Sequence, residues 1–169
     1  MEIIKNKTIF ITGGAGFIGS TMASRLVTNN KIIIFDNLAR NAIQHTGLLN
    51  HDNIIFIQSD IMDKEAIESI FVEHQPNYVV HCAAIAGIDT VIKDPVKTLD
   101  VNIVGTNNIL AACLKLENLE RVILFSTSEV FGGQSFMSNE TKPAVIGAVG
   151  EARWTYALSK LTNEHYADA

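Results

Sequence analysis

Short runs that are apolar almost throughout alternate along this chain with longer stretches in which apolar residues recur every three to four positions. The runs "KTIFIT", "KIIIFD", "NIIFIQSD", "NYVVHCA" and "RVILFS" predict five strands. Helical periodicity covers about Phe17 to Asn29, Lys64 to Glu73 and Pro95 to Glu117, and resumes from about Arg153. Pro95 suits the first turn of its helix, where a missing N–H costs nothing. The stretch "NLARNAIQHTG" predicts a loop. Strands without polar alternation need cover on both faces, which a parallel sheet between helix layers supplies. The expected architecture is a doubly wound α/β domain spanning residues 1–169, with its ligand crevice at the carboxyl ends of the strands.

Composition narrows the function. With 47% hydrophobic and 18% charged residues the chain belongs among soluble globular proteins. Its longest apolar runs are four to six residues, too short to span a membrane, and "MEIIKNK" lacks the features of a signal peptide, so a cytoplasmic protein is expected. A net charge of −5 without any cluster of Lys or Arg argues against nucleic acid as a partner. Cys82 and Cys113 have no C-x-x-C spacing and no ligand set for zinc, so no metal is expected and both are read as small buried apolar residues.

The stretch "TGGAGFIGS" follows the first strand directly, with glycines at 13, 16 and 19. Gly14-x-x-x-x-Gly19-Ser20-Thr21 is nearly a phosphate loop, but Ser20 stands where the lysine that meets the β- and γ-phosphates belongs. A dinucleotide site needs a glycine turn after a strand, a helix opening from it, and an acidic residue about 20 positions on. All are present, the acid being Asp36 at the end of the second strand. Gly13 permits the tight turn, Gly16 the approach of a pyrophosphate and Gly19 the packing of helix on strand, while the helix N-terminus offers N–H groups to the anion. A carboxylate that accepts from both ribose hydroxyls favours NAD and repels a 2′-phosphate, although Arg40 nearby leaves NADP open.

The Gly-x-x-Gly-x-x-Gly spacing resembles the cofactor loop of the extended short-chain dehydrogenase/reductases, the nucleotide-sugar epimerases and dehydratases. The resemblance implies a Rossmann-type sheet of about five strands in the order 3-2-1-4-5, with NAD held by Gly13, Gly16, Phe17, Ile18, Gly19, Asp36 and Asn37. Asp60 and Ile61 look like the pair that holds the adenine, Ala83 and Ala84 like the fourth-strand end lining the cofactor, and Asn102 also matches. Taken alone, Asp60 could instead cap the helix from Lys64, and His81 reads as a histidine satisfied at a strand end.

Tyr156 and Lys160 are four residues apart, which places them on one helix face, with Trp154, Ala157, Leu158 and Leu161 expected to pack on the sheet. A phenol of pKa near 10 is a weak base at neutral pH; Lys160 is expected to lower that value and to donate to the nicotinamide ribose. Thr127 would hold a substrate alcohol in line for proton transfer to Tyr156 and hydride transfer to the ring. In the resembling family, Thr127, Tyr156 and Lys160 fall on the triad that oxidises a sugar C4 hydroxyl. The dehydratases follow the Thr with Asp-Glu, whereas here Ser128-Glu129 follows it. "STSEV" and "EARWTYALSK" resemble the UDP-glucuronate decarboxylases, in which the 4-ketone of a uronic acid loses CO2 readily. Phe131 departs from the usual Tyr.

Members of that family run to about twice this length, so the resemblance implies that their C-terminal substrate domain is absent here, and with it the residues that select a UDP-sugar. Cofactor binding with little turnover is expected of this chain alone. Two other classes stay open: a catalytically silent NAD(P)-binding module, and a structural protein on the same fold. The resemblance also implies a homodimer through the 95–117 and 153–169 helices, and an open sheet edge near the fifth strand.

Overall fold

The computed structural model describes residues 4–134 and 136–169. Five strands, β1 (Thr8–Thr12), β2 (Lys31–Asp36), β3 (Ile54–Gln58), β4 (Tyr78–His81) and β5 (Arg121–Leu124), form one parallel sheet in the order β3-β2-β1-β4-β5. β1 lies in register with both neighbours, Thr12 facing Phe35 on one side and His81 on the other. Ile9, Phe10 and Ile11 of β1 and Ile32 to Phe35 of β2 are buried on both sheet faces, as their unbroken apolar runs demand. Phe10 meets Phe71 edge-on at 4.8 Å between ring centroids and Phe35 at 5.5 Å. Among the described residues β5 is the last strand on one side of the sheet, and it alternates exposed and half-buried residues.

The helices are α1 (Phe17–Leu26), α2 (Lys64–His74), α3 (Ile88–Lys93), α4 (Pro95–Leu99), α5 (Gly105–Cys113) and α6 (Arg153–Asp168). α1 ends three residues before the expected Asn29, because the buried Asn30 side chain takes up the Leu26 carbonyl at 2.9 Å and turns the chain into β2. The helix expected over Pro95 to Glu117 is instead α4, a π-helical turn over Asp100–Val104, and α5. Asp94 caps α4 by accepting the Lys97 N–H at 3.0 Å, with Pro95 in the first turn as expected. α3 has no counterpart in the sequence expectation.

The residues pack into two compact units. One comprises the chain up to Ala83 together with Asn108–Ile123, the other Ala84–Asn107 with Leu124–Ala169. In the second unit α6 packs against α3, α4, the π-helical turn and a short turn over Ser128–Phe131. Its buried positions are Ala157, Ser159, Lys160 and Asn163, whereas Leu158, expected on the packed face, is exposed. Hydrogen-bonding side chains, rather than an apolar stripe, seat this helix. Cys113 is buried, and burial pushes its thiol up to about 12; Cys82 is only half-buried, because β4 ends one residue before it.

Candidate functional site

In the first unit the glycine loop joins β1 to α1. Gly13 has φ +65, and a Cβ there would lie 2.6 Å from the Ala83 nitrogen, so β4's end passes against the bare backbone. A Cβ on Gly19 would meet the Gly13 carbonyl at 2.5 Å, which fixes the closeness of helix to loop. α1 has no side-chain cap and no acid in its first turn, and Phe17 and Ile18 stand exposed at its start. Its first N–H groups and positive dipole end therefore suit an anion.

Asp36 closes this loop from β2. Its Oδ2 accepts the Ala15 N–H at 3.0 Å and its Oδ1 the Leu38 N–H at 2.7 Å. Burial raises the Asp36 pKa above 3.8, opposed by the backbone N–H groups of Leu38, Ala15 and Gly16. Leu38 holds a left-handed backbone at φ 63, a conformation that costs a branched side chain energy and that the Asp36 bond secures. Ala15 was not singled out from the sequence, yet its carbonyl also accepts the N–H groups of Ala42 and Ile43. It thereby ties the loop after β2 to the glycine loop.

Asn37 donates to Asp60 Oδ2 at 2.8 Å, and Asp60 Oδ1 accepts the Met62 N–H. Asp60 is not the cap of α2; Asp63 is, through the Ala66 N–H at 3.0 Å. Ile61 is buried, with its carbonyl held by Asn108 at 3.1 Å. His81 is buried with Nδ1 2.6 Å from Thr12 Oγ1, which also accepts the Ala83 N–H. The strand-end histidine is thus engaged by its neighbour on β1.

The second unit holds the other predicted residues. Thr127 Oγ1 accepts the Glu129 N–H at 3.3 Å and starts the turn that carries the exposed Ser128 and Glu129. Ser126 just before it hydrogen-bonds Glu164 of α6. Tyr156 is half-buried; Lys160 is 3% exposed, its ammonium 5.8 Å from the centre of the Tyr156 ring. Burial first, and the Glu129 charge second, push the Tyr156 phenol above 10.0. The expected lowering by Lys160 is therefore not the net outcome, because desolvation and a carboxylate both favour the neutral phenol. Arg153 stacks 4.5 Å over Trp154, whose Nε1 donates to Glu151.

Asn102 sits in the π-helical turn, 1% exposed, with its side chain spent inside the protein. Its Oδ1 accepts the Ile85 N–H at 2.8 Å, and its Nδ2 donates to the Ile85 carbonyl and to Ser159 Oγ, both at 3.0 Å. Ala84, next to Ile85, is half-buried. Ser159 and Asn163 stand out in the sequence only as two polar residues four apart beside Tyr156 and Lys160.

Neutralising Glu129 has a definite consequence. In Glu129→Gln the Tyr156 phenol should titrate at lower pH than in the wild type, the difference shrinking with added salt because Glu129 is exposed. A folded-state pKa raised above the unfolded value contributes stability that is present below pH 10.0 and lost as pH rises through the raised value. The variant therefore draws less of that contribution. Ring-labelled tyrosine resonances followed against pH check this, and an unmoved Tyr156 signal refutes it.

Among the described residues no group of His, Cys, Asp and Glu could hold a metal ion, and no helix is long and apolar enough to cross a membrane. The family model described as NAD dependent epimerase/dehydratase matches residues 9–169. The UDP-N-acetyl-alpha-D-glucosaminuronate decarboxylase of Bacillus cytotoxicus is 36% identical over 159 residues, covering 94% of this chain and 48% of that protein. Among solved structures, a UDP-N-acetylglucosamine 4-epimerase from Methanobrevibacter ruminantium M1 in complex with UDP-N-acetylmuramic acid superposes with a TM-score of 0.86 at 31% identity, over 98% of this chain and 50% of that one. The UDP-glucose 4-epimerase from Brucella ovis in complex with NAD gives 0.80 at 28% identity, over 96% and 47%. The chain thus spans about half the length of the curated relatives it matches.

Proposed function

The chain belongs to the NAD-dependent epimerase/dehydratase family, and on that premise we propose that it forms the cofactor-binding part of an enzyme that oxidises the C4 hydroxyl of a nucleotide sugar, a UDP-sugar above all. The observation that carries this reading is the pair on α6: a half-buried Tyr156 with the buried Lys160 one turn away. A helix that only had to pack would place an apolar residue where Lys160 is.

The chain's residues suit NAD. The uncapped α1 start would take the pyrophosphate, Asp36 the ribose hydroxyls, Asn37, Asp60 and Ile61 the adenosine, and Lys160 the nicotinamide ribose. NAD, when bound, supplies hydride acceptance and a positive ring that favours the phenolate. Thr127 would hold the sugar hydroxyl and Tyr156 would take its proton while the carbon loses hydride, leaving a ketone. With a uronic acid, the resulting β-keto acid would release CO2, and Ser128 or Glu129 would return a proton to the sugar carbon. The likeness to a uronate decarboxylase supports that branch, and those to 4-epimerases support simple return of hydride to the ketone. Exposed Val96 and Val104 near the π-helical turn and Leu158 and Tyr166 on α6 support the expected homodimer.

Calorimetric titration of NAD and NADP into the chain tests the cofactor step, with NAD bound in clear preference. Adding UDP-glucuronate or UDP-glucose with NAD, and following reduced-nicotinamide absorbance and CO2, tests the expectation of little turnover by this chain alone, which measurable product would overturn. A folded chain that binds neither dinucleotide sinks the proposal; light scattering on the same samples reports the dimer.

A further inference from the structure

The polar core of the second unit converges on one residue. Besides its three side-chain bonds, Asn102 accepts two side-chain donors at its carbonyl, Thr106 Oγ1 at 2.6 Å and Asn163 Nδ2 at 3.0 Å. The π-helical turn is what sets this residue apart, since wide turns of this kind displace a residue from the regular helix and cluster at functional sites. Two of its partners, Ser159 and Asn163, belong to α6 and are buried. At about 100° per residue, Tyr156, Ser159, Lys160 and Asn163 share one side of that helix. Ser159 Oγ further donates to the Tyr156 carbonyl at 2.8 Å.

Apolar packing restricts a helix's rotation through interdigitation, and directional hydrogen bonds to buried polar groups fix it further. We propose that Ser159 and Asn163 are positioning residues, pinned to Asn102 so that α6 presents Tyr156 and Lys160 at one fixed rotation. This rests on the role given to Tyr156 and Lys160 above. Asn163 carries the signature of a residue kept for something other than stability: its Oδ1 is buried without a partner among the described residues. An unpaired buried acceptor opposes folding, while the Nδ2 of the same side chain holds the Asn102 carbonyl.

The pin separates stability from geometry, and so does its test. Asn163→Ala removes the unpaired acceptor and leaves the Asn102 carbonyl its Thr106 donor, so its unfolding temperature should equal or exceed that of the wild type. In the same variant the Tyr156 ring, freed to turn toward water, should titrate closer to 10.0, and NAD affinity should fall about tenfold, the equivalent of one hydrogen bond. Ser159→Ala should repeat both effects and serves if Asn163→Ala does not fold. The ring resonance is assigned by its loss in Tyr156→Phe. A folded variant with the Tyr156 titration unmoved overturns the pin, as does a shift that follows only a fallen unfolding temperature. If the wild type binds no NAD, the cofactor reading fails, and the Tyr156 titration still decides the pin.

Discussion

Asp36→Ala is expected to weaken NAD binding about 100-fold or more and to erase the preference for NAD over NADP. Each carboxylate oxygen already accepts one backbone N–H, from Ala15 and from Leu38, and keeps lone pairs for a ribose hydroxyl. Two charge-assisted bonds of about 1.5–3 kcal/mol each correspond to about 100-fold or more in affinity. The selectivity falls with them, since the same charge repels a 2′-phosphate. Titration calorimetry with both dinucleotides measures this, and an NAD affinity within about threefold of wild type would remove Asp36 from the site. The fold should survive. Burial raises the Asp36 pKa, so its favourable contribution is complete below pH 3.8 and is lost as pH rises through the raised value; at neutral pH the charge opposes folding. Alanine removes that opposition along with two acceptors, and the two changes offset. On the proposed reading the ionised form would bind the ribose, so NAD affinity should begin to decline, as pH falls, from a higher pH than an ordinary aspartate would give.

Gly13→Ala should be the most destabilising small substitution in the glycine loop, by about 3 kcal/mol. A left-handed backbone costs an alanine about 1–2 kcal/mol. The new methyl would also stand 2.6 Å from the Ala83 nitrogen, 2.8 Å from its Cα and 2.9 Å from the Cys82 carbonyl carbon, all backbone atoms. Such crowding adds about 1–3 kcal/mol, because a strand end must move rather than a side chain. For a chain of this size the fall in unfolding temperature is about 6–12 °C. A loss under about 1 kcal/mol in denaturant titration would show that β4's end yields freely.

What the sequence disclosed is what is local. The β1–glycine–α1 unit and Asp36 occupy fixed spacings, and the unbroken apolar runs point to a parallel sheet covered on both faces, while its strand order comes only with the family resemblance. Tyr156 and Lys160 share a helix face by spacing alone. What it hid depends on partners distant along the chain. The π-helical turn looks like uninterrupted helix in the letters, because its cause is Asn102 reaching Ile85 and Ser159. Leu158 reads as core by periodicity, yet α6 is seated by Ser159 and Asn163, so the apolar residue is left outside. Asp60 reads as a candidate cap of α2, but Asp63, directly before the helix, takes that place because its carboxylate meets the Ala66 N–H. The direction of the Tyr156 shift depends on burial and on Glu129, neither of which spacing reports.

The peptide units around Ala15 grip in two directions, its N–H holding Asp36 and its C=O holding the chain at Ala42 and Ile43. The turn that would meet the pyrophosphate and the segment that would meet the ribose are therefore fastened to each other by protein bonds alone. On the proposed reading, a dinucleotide would meet a turn and a segment already fastened together when the chain folds. Little of the binding energy would then be diverted to ordering loops, and affinity at this half of the ligand would be governed by the fit of its own contacts.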